Sequence, residues 1–132
     1  MDMRQKKREI LVADGEMQEC GRIAEWLETG GYSVMKAHSG AQAFAALNGG
    51  GVDLAILNAS LEGKSGIEIL EELRSSCDEC ETPWMPVIIM SGGDKKTERR
   101  ARMANADVFF FKPLMKETLL EAVRHLLIVT HR

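Results

Sequence analysis

Asn58 is the residue whose type and position say most about the chemistry of this sequence. It ends the apolar run at residues 54–57, and a loop containing Gly63 and Gly66 follows at once. A short apolar run that stops at a polar residue is typical of a buried parallel strand, which delivers that residue to the carboxyl edge of the sheet. Open α/β sheets carry their functional sites at this edge. An amide there forms hydrogen bonds, but it is not a nucleophile.

Cys77 and Cys80 form a CxxC sequence, a spacing used both for redox chemistry and for zinc binding. The pair is expected near the C-terminal end of a helix, beside Asp78 and Glu79, where a thiolate is disfavoured. Zinc would need two more ligands, and only Cys20 and three scattered histidines remain. We therefore interpret the pair as two thiols in an acidic loop. A redox function, or a zinc site shared across a dimer, stays open.

The elements that must position these residues alternate along the whole chain. Apolar runs predict strands near residues 10–13, 32–37, 54–58, 87–90 and 108–111. Apolar residues at helical spacing predict helices near residues 17–28, 40–48, 66–74, 94–104 and 116–127. The polar segment 75–86, with Pro83 and Pro86, is expected to be a loop. This alternation predicts a three-layer α/β/α domain with a parallel sheet between two layers of helices.

Length and composition fit one soluble globular domain. The chain has 132 residues, 45% hydrophobic and 28% charged, and we expect a single domain over residues 1–132 with its core at about 8–128. A net charge of −3 gives no reason to expect nucleic acid or an anionic membrane as a partner. No apolar stretch approaches the roughly 20 residues of a membrane helix. Three cysteines argue against a disulfide framework, so we expect a cytoplasmic protein.

Five motifs in order make the sequence similar to the receiver domains of response regulators. They are the first strand with ADGE after it, GYSVMKAHSGAQAFAAL, VDLAILNASLEGKSG, VIIMSGG, and FFFKPL followed by the helix KETLLEAVRHLL. The resemblance covers residues from about 8 to 127. It implies a flavodoxin-like doubly wound sheet of five parallel strands in the order 2-1-3-4-5, with five helices. It also implies a non-enzymatic module of two-component (phosphorelay) signal transduction.

In that family the third strand ends in an aspartate that accepts a phosphoryl group from a histidine kinase, beside an acidic pair that holds a divalent cation. By position, Asp14 keeps the first acidic residue, while Ser91 and Lys112 keep the groups that hold the phosphoryl oxygens. Gly15 stands where the second acidic residue, usually the direct metal ligand, is expected. Asn58 stands in place of the phosphoacceptor. The resemblance therefore implies a receiver that is degenerate at its acceptor.

Two of the three carboxylates that the family uses around magnesium are absent from this sequence. The remaining one, Asp14, is opposed by Lys112, so we expect a pocket near neutrality whose magnesium site is weak or absent. Ser60 falls where a backbone carbonyl completes the metal site, a role that almost any residue fills. Glu16 is a candidate substitute ligand. We expect stability nearly independent of magnesium, because no carboxylate cluster repels itself when the metal is absent.

The same resemblance places a partner surface on the fourth helix, fifth strand and fifth helix. Phe109 falls at the aromatic switch position of the family, and Phe110 and Phe111 are interpreted as core residues. The expected fourth helix carries a basic run that we interpret as a solvated face: Lys95, Lys96, Arg99, Arg100 and Arg102. Arg99 and Arg102 are assigned to the partner surface. The expected partners are a sensor histidine kinase or an output protein, with a homodimer as an alternative.

Asn58 has three explanations, of which we favour natural loss of the acceptor. The chain is then a pseudo-receiver, a protein-interaction module that works without phosphorylation. An engineered substitution is the second explanation, but Gly15 argues against it, since one designed change would suffice. The third is a structural leftover, with the amide hydrogen-bonded to Lys112.

Three other functions stay open on the sequence alone. An active phosphoreceiver would use Asp14 or another carboxylate as acceptor. A flavodoxin-like cofactor binder would need a hydroxyl-rich phosphate loop after the first strand, and the sequence DGE at residues 14–16 supplies none. A redox or zinc module would act through Cys77 and Cys80.

Overall fold

The computed structural model describes residues 7–79 and 85–130, in which strands and helices alternate as the sequence predicts. The strands are β1 (Glu9–Ala13), β2 (Ser33–Ala37), β3 (Leu54–Asn58), β4 (Val87–Ser91) and β5 (Val108–Phe111). The helices are α1 (Met17–Thr29), α2 (Gly40–Asn48), α3 (Gly66–Glu79), α4 (Lys95–Met103) and α5 (Lys116–Thr130). All strand pairs are parallel, and the sheet order is β2-β1-β3-β4-β5, which confirms the order implied by the resemblance.

The central strands β1, β3 and β4 are continuous apolar runs because helices cover both faces of the sheet. Alternate side chains of each strand enter different cores. Leu11 and Ile89 belong to the core beneath α2, α3 and α4. Ile10 and Ile88 belong to the core beneath α1 and α5. Burial on both faces fixes the register of each strand, since a slip of one residue would exchange the two sets of side chains.

The carboxyl ends of the strands form the edge that carries the polar residues. Ala13 of β1 pairs with Leu57 of β3, so the residues after them are neighbours at this edge. β4 and β5 end together, with Ser91 paired with Phe111. The chain order reverses at β1, which lies between β2 and β3, and ligands of doubly wound sheets bind at such a reversal. The fold therefore brings the predicted site residues to one place.

Helix α3 is longer than the sequence predicts. The segment 75–86 was expected to be a loop, but α3 continues to Glu79. No glycine or proline occurs between Ser75 and Glu79, and their residue types are only mildly unfavourable in a helix, so nothing stops it there. Cys77 thus lies in the last turn of α3. Its side chain and the whole of Cys80 lie outside the described residues, so the function of the CxxC pair stays a prediction.

Arg74 is a buried charged residue that the sequence analysis did not single out. Its guanidinium donates to the backbone oxygens of Asn105 (3.1 Å) and Met85 (2.7 Å) and to Asp107 Oδ2 (2.8 Å). The same carboxylate oxygen accepts the backbone N–H of Val87 at 2.8 Å. These bonds join α3 to the segments that begin β4 and β5. They therefore help to fix the positions of β4, which ends at Ser91, and of β5, which is followed by Lys112.

Gly66 begins α3 where the helix meets the end of β3. A Cβ built there would lie 2.2 Å from the backbone oxygen of Asn58. We expect Gly66→Ala to lower the free energy of unfolding by about 2 kcal/mol, since backbone atoms must move to relieve this clash. Gly21, inside α1, is the control, because a Cβ there meets nothing within 4 Å. Gly21→Ala should raise the free energy of unfolding by about 0.5–1 kcal/mol. Urea denaturation of both variants measures the two changes, and equal changes in the free energy of unfolding would contradict the packing argument.

Candidate functional site

Asp14 is the centre of a polar cluster at the carboxyl edge of the sheet. Its side chain is 1% exposed, and both carboxylate oxygens are used. Oδ2 accepts from Lys112 Nζ at 2.8 Å, which makes a buried ion pair. Oδ1 accepts from Asn58 Nδ2 at 3.1 Å and from the backbone N–H of Glu16 at 3.0 Å. A buried carboxylate is tolerated only when it is paired and hydrogen-bonded, and this cluster satisfies it without a further ligand.

The strands next to β1 fix the two side chains that reach Asp14. The backbone N–H of Ala59 donates to Met90 O at 2.8 Å, which continues the β3–β4 ladder beyond Asn58. The backbone N–H of Lys112 donates to Ser91 O at 2.8 Å, which continues the β4–β5 ladder. The peptide bond between Lys112 and the proline after it is cis, as is common in the family that the sequence resembles. Residues from three strand ends thus meet at one carboxylate.

The amide of Asn58 does not bind Lys112, so that part of the third explanation is wrong. Its Nδ2 donates to Asp14 instead. An ammonium group is only a donor and an ionised carboxylate only an acceptor, so the carboxylate between the two attracts a donor from each. The orientation of the amide follows from this network.

Gly15 and Glu16 lie just outside the cluster. Glu16 is exposed, and it contributes its backbone N–H, not its carboxylate, to Asp14. Gly15 is also exposed, and a Cβ built there would lie 3.6 Å from His38 O, an ordinary contact. The position next to Asp14 therefore has room for a side chain that the sequence does not supply.

The residues of the cluster do not fit a magnesium ion. Magnesium requires octahedral oxygen coordination and favours carboxylates with several retained waters. Here Asp14 is paired with Lys112, Gly15 has no side chain, and Asn58 turns its NH₂ group to the carboxylate. Among the described residues, no group of three or more His, Cys, Asp or Glu side chains is placed to hold a metal ion.

An open cleft of about 540 Å³ lies beside the cluster, between the loop after β3 and helix α4. Four predicted site residues line it: Asn58, Ser60, Ser91 and Lys112. The Oγ atom of Ser91 accepts the backbone N–H of Gly93 at 2.8 Å. The structure therefore brings the hydroxyl, the amide and the lysine to a common solvent-accessible space, while Asp14 lies buried behind Lys112.

Two further residues line this cleft that the sequence analysis missed as site residues. Thr97 and Arg100 both belong to α4 and face the cleft. Arg100 was assigned to a solvated basic face, and it is exposed, but it also forms part of the cleft wall. The two residues are three positions apart and so lie on the same side of a helix. This spacing, in a helix that begins shortly after Ser91, was the feature of the sequence that could have indicated both residues as part of the site.

The predicted switch and partner residues do not line this cleft. Phe109 is 9% exposed and contacts the ring of Phe111 edge to face, with centroids 5.0 Å apart. Phe111 is 42% exposed, so its interpretation as a core residue is wrong. It is the last residue of the edge strand β5. Arg99 and Arg102 line a shallow groove on α4 away from the cleft, together with exposed Met103.

Cys20 is a buried cysteine of α1. Its side chain lies in the core beneath α1, with Sγ 3.6 Å from Val12 O. Burial, and after it the negative charge of Asp14, raise the pKa of the Cys20 thiol. Without a metal ion the thiol therefore stays protonated at neutral pH.

The fold and the site together define a doubly wound α/β protein with a closed polar cluster at the end of its central strands. The profile of the response regulator receiver domain matches residues 10–124. The chain belongs to the response regulator receiver domain family and is a module of two-component signalling. Receiver domains are generally non-enzymatic, and response regulators work with histidine kinases and output domains. None of the helices that the structure describes has the length and apolar character needed to cross a membrane.

Two relatives illustrate the similarity in sequence. The response regulator MprA of Mycobacterium avium is 31% identical over 119 residues, which are 89% of this chain and 50% of that protein. The transcriptional regulatory protein CpxR of Klebsiella pneumoniae is 31% identical over 123 residues, which are 92% of this chain and 50% of that protein. The chain thus spans about half the length of these relatives.

Two solved structures illustrate the similarity in fold. The receiver domain protein (CheY-like) of Methanospirillum hungatei has a TM-score of 0.84 at 23% identity, covering 95% of this chain and 97% of that one. The receiver domain protein of Clostridium thermocellum has a TM-score of 0.79 at 26% identity, covering 92% and 94%. Both confirm the predicted flavodoxin-like architecture.

Proposed function

We propose that this chain is a pseudo-receiver, which acts through protein contacts and is not phosphorylated. The observation that carries the proposal is the closed cluster of Asp14, Lys112 and Asn58. An amide occupies the end of β3, where the family has its phosphoacceptor, and its NH₂ group is bound to Asp14. A carboxamide is not a nucleophile, so it does not accept a phosphoryl group.

The cluster takes the place of a metal site. Asp14 and Lys112 carry one charge of each sign, so their sum is zero, and the ion pair is mostly buried. Magnesium binding at Oδ2 of Asp14 would require Lys112 to leave. Breaking a buried ion pair costs about 3–5 kcal/mol, because one charge is left without its partner. This cost supports a pocket that stays closed without a metal ion.

The same geometry argues against an active phosphoreceiver based on Asp14. Its carboxylate is 1% exposed, and its two oxygens together accept three hydrogen bonds. A phosphodonor reaches an acceptor oxygen in line with the leaving group, so the acceptor must be accessible from the cleft. Lys112 stands between Asp14 and that space.

Residues 1–132 form one receiver-like domain in this proposal, and its partner is a sensor histidine kinase or an output protein in the cytoplasm. The surface of α4, β5 and α5 is the proposed contact. Arg99 and Arg102 offer positive charge there, and Met103 and Phe111 offer exposed apolar area. The nearly buried ring of Phe109 contacts the exposed ring of Phe111, which links this face to the core.

Magnesium titration of thermal stability tests the proposed function. We expect the melting temperature of the wild-type chain to change by no more than about 1 °C when millimolar magnesium replaces EDTA. The reason is that the carboxylate of Asp14 is already paired with Lys112. The Gly15→Asp/Asn58→Asp variant adds two carboxylates next to Asp14. Their repulsion is relieved by magnesium, so its melting temperature should rise by about 3 °C or more. A comparable rise in the wild-type chain would contradict the proposal.

A further inference from the structure

The outer surfaces of α3 and α4 carry charges of opposite sign. Both helices pack on the same core and so cover the same face of the sheet. Exposed carboxylates follow α3 at Glu68, Glu71 and Glu72, whereas exposed cations follow α4 at Lys95 and Arg99. Each helix connects two parallel strands, so α3 and α4 run in the same direction. This face of the domain therefore has a mainly acidic part and a mainly basic part.

An open groove of about 580 Å³, the α3 groove, lies along the acidic helix. Its lining residues are Gly63, Lys64, Glu68, Glu71, Glu72 and Ser75. Lys64 forms an ion pair with Glu72. The carboxylate of Glu68 accepts only a backbone N–H, that of Ser65, and Glu71 makes no side-chain hydrogen bond or ion pair with the described residues. The α3 groove thus has two carboxylates, Glu68 and Glu71, without a cationic partner.

A second open groove of about 440 Å³, the α4 groove, lies along the basic helix. Its lining residues are Lys95, Glu98, Arg99, Arg102 and Met103. Arg102 is bound to Glu98 at 2.8 Å. In the part of the chain that the structure describes, the side chains of Lys95 and Arg99 make no hydrogen bond or ion pair. The α4 groove thus has two cations without a partner, as many as the α3 groove has carboxylates.

The free charges of the two grooves also have matching spacings. Glu68 and Glu71 are three positions apart, and Lys95 and Arg99 are four positions apart. Residues at either spacing lie on the same side of a helix, with Cβ atoms about 5–6 Å apart. Two helices placed side by side therefore bring each carboxylate next to one cation. This complementarity of number and spacing indicates that one groove fits the other.

The uncharged ends of the grooves favour a parallel alignment of the two helices. Ser75 follows Glu68 by seven positions, and Met103 follows Lys95 by eight, which is about 10–12 Å along a helix in both cases. In a parallel pair the exposed Met103 lies beside the hydroxyl of Ser75. An antiparallel pair would place Met103 beside Glu68, whose carboxylate would lose contact with water.

We propose that this face of the domain binds a second copy of the chain, with the α3 groove of each copy against the α4 groove of the other. Glu68 pairs with Lys95, and Glu71 pairs with Arg99. A two-fold axis parallel to the helices relates the copies, so the contact forms twice and the dimer is closed. The inference goes beyond the proposed function and does not depend on it, because no residue of the cluster around Asp14 takes part.

Dimer formation would compete with the proposed partner for the same residues. Arg99 and Met103 belong both to the α4 groove and to the proposed partner surface. A copy within the dimer therefore does not present them to a kinase or an output protein. The second copy acts as a competitor whose effect grows with the concentration of the chain.

The salt dependence of association tests the inference. Exposed ion pairs contribute little individually, so we expect a weak dimer with a dissociation constant of about 100 µM at low salt. Raising the ionic strength from about 10 mM to about 1 M shortens the Debye length from about 30 Å to about 3 Å. Analytical ultracentrifugation at chain concentrations up to about 1 mM should therefore show a dimer at low salt and a monomer at high salt.

Charge reversal tests the predicted pairs directly. Glu71→Arg places two cations opposite each other at both contacts of the dimer, and Arg99→Glu places two carboxylates there. Each variant alone should associate at least about tenfold more weakly than the wild-type chain. An equimolar mixture of the two variants restores opposite charges at both contacts, so it should form a mixed dimer about as well as the wild-type chain does. Misfolding of either variant would not give this recovery.

Arg124→Glu is the matched control, because it changes the net charge as much as Arg99→Glu does. Arg124 is exposed on α5, which covers the other face of the sheet, so the dissociation constant should change less than about twofold. Equal losses in Arg124→Glu and Arg99→Glu, or a mixture that stays as weak as its components, would overturn the inference. A wild-type chain that is monomeric at about 1 mM and low salt, or that grows beyond a dimer, would overturn it as well.

Discussion

We expect the Gly15→Asp/Asn58→Asp variant to take up one phosphoryl group from acetyl phosphate in the presence of magnesium, while the wild-type chain stays unmodified. Asp at position 58 places a carboxylate at the end of β3, where an amide now donates to Asp14. Asp at position 15 fits, because a Cβ there meets only His38 O, at 3.6 Å. A carboxylate oxygen then attacks phosphorus, the bond from phosphorus to the acetate oxygen breaks, and acetate leaves.

Two carboxylates added to one ion pair leave two negative charges without partners, which a divalent cation matches. Intact-mass spectrometry measures the modification, and lability of the adduct in both acid and base identifies an acyl phosphate. Gly15→Asp/Asn58→Ala is the control with a restored metal ligand but no acceptor, and it should stay unmodified. Modification of the wild-type chain would refute the pseudo-receiver, and Asp14→Asn would then show whether Asp14 is the acceptor.

We expect Arg74→Met to lower the free energy of unfolding by about 3–5 kcal/mol, the typical cost of breaking a buried ion pair. The side chain of Arg74 is 8% exposed and that of Asp107 is 19% exposed, so the carboxylate left behind has little access to water. Two backbone oxygens, of Asn105 and Met85, lose their donor in addition. Denaturation by urea, with the slope of the transition compared between variants, measures the loss.

Arg102→Met is the matched control, because Arg102 forms an ion pair with Glu98 on the exposed side of α4. Exposed pairs contribute about 0–1 kcal/mol, so this variant should stay close to wild type. Arg74→Met/Asp107→Asn should recover part of the loss, since no unpaired charge remains and the backbone N–H of Val87 keeps an acceptor. Losses of equal size in Arg74→Met and Arg102→Met would show that the buried pair contributes no more than a surface one.

Local pattern in the sequence was enough to predict the strands and the edge of the sheet that carries Asn58. The apolar runs of β1, β3 and β4 are short, continuous and end in polar residues, and strand ends of a parallel sheet must meet at one edge. The resemblance to receiver domains, and not the pattern alone, implied that Asp14, Ser91 and Lys112 lie beside Asn58. The hydrogen bonds among the four were not predictable in the same way, because they depend on which donors lie within hydrogen-bond distance of Asp14 in the packed structure.

Contacts between distant segments account for what the sequence did not predict. Arg74 and Asp107 are 33 positions apart, and no periodicity links a helix residue to a loop residue of this kind. Arg100 belongs to a run of basic residues that looks uniform in sequence. Only the orientation of α4 against the loop after β3 shows that Arg100 lines the cleft and that Arg99 lines a different groove. The extension of α3 to Glu79 was missed because Pro83 and Pro86 were read as marking the whole segment as loop.

If the chain is a pseudo-receiver, as proposed, the ion pair between Lys112 and Asp14 determines how the domain carries its signal. A typical receiver is a reversible switch, whose output depends on the fraction of molecules that carry a mark. In the proposed function the chain has no phosphoryl group to gain or lose, so each copy is equivalent to every other. Its output follows mass action, and a partner is half occupied when the concentration of this protein equals the dissociation constant. The rates of synthesis and degradation, which set that concentration, then determine how fast the signal rises and decays.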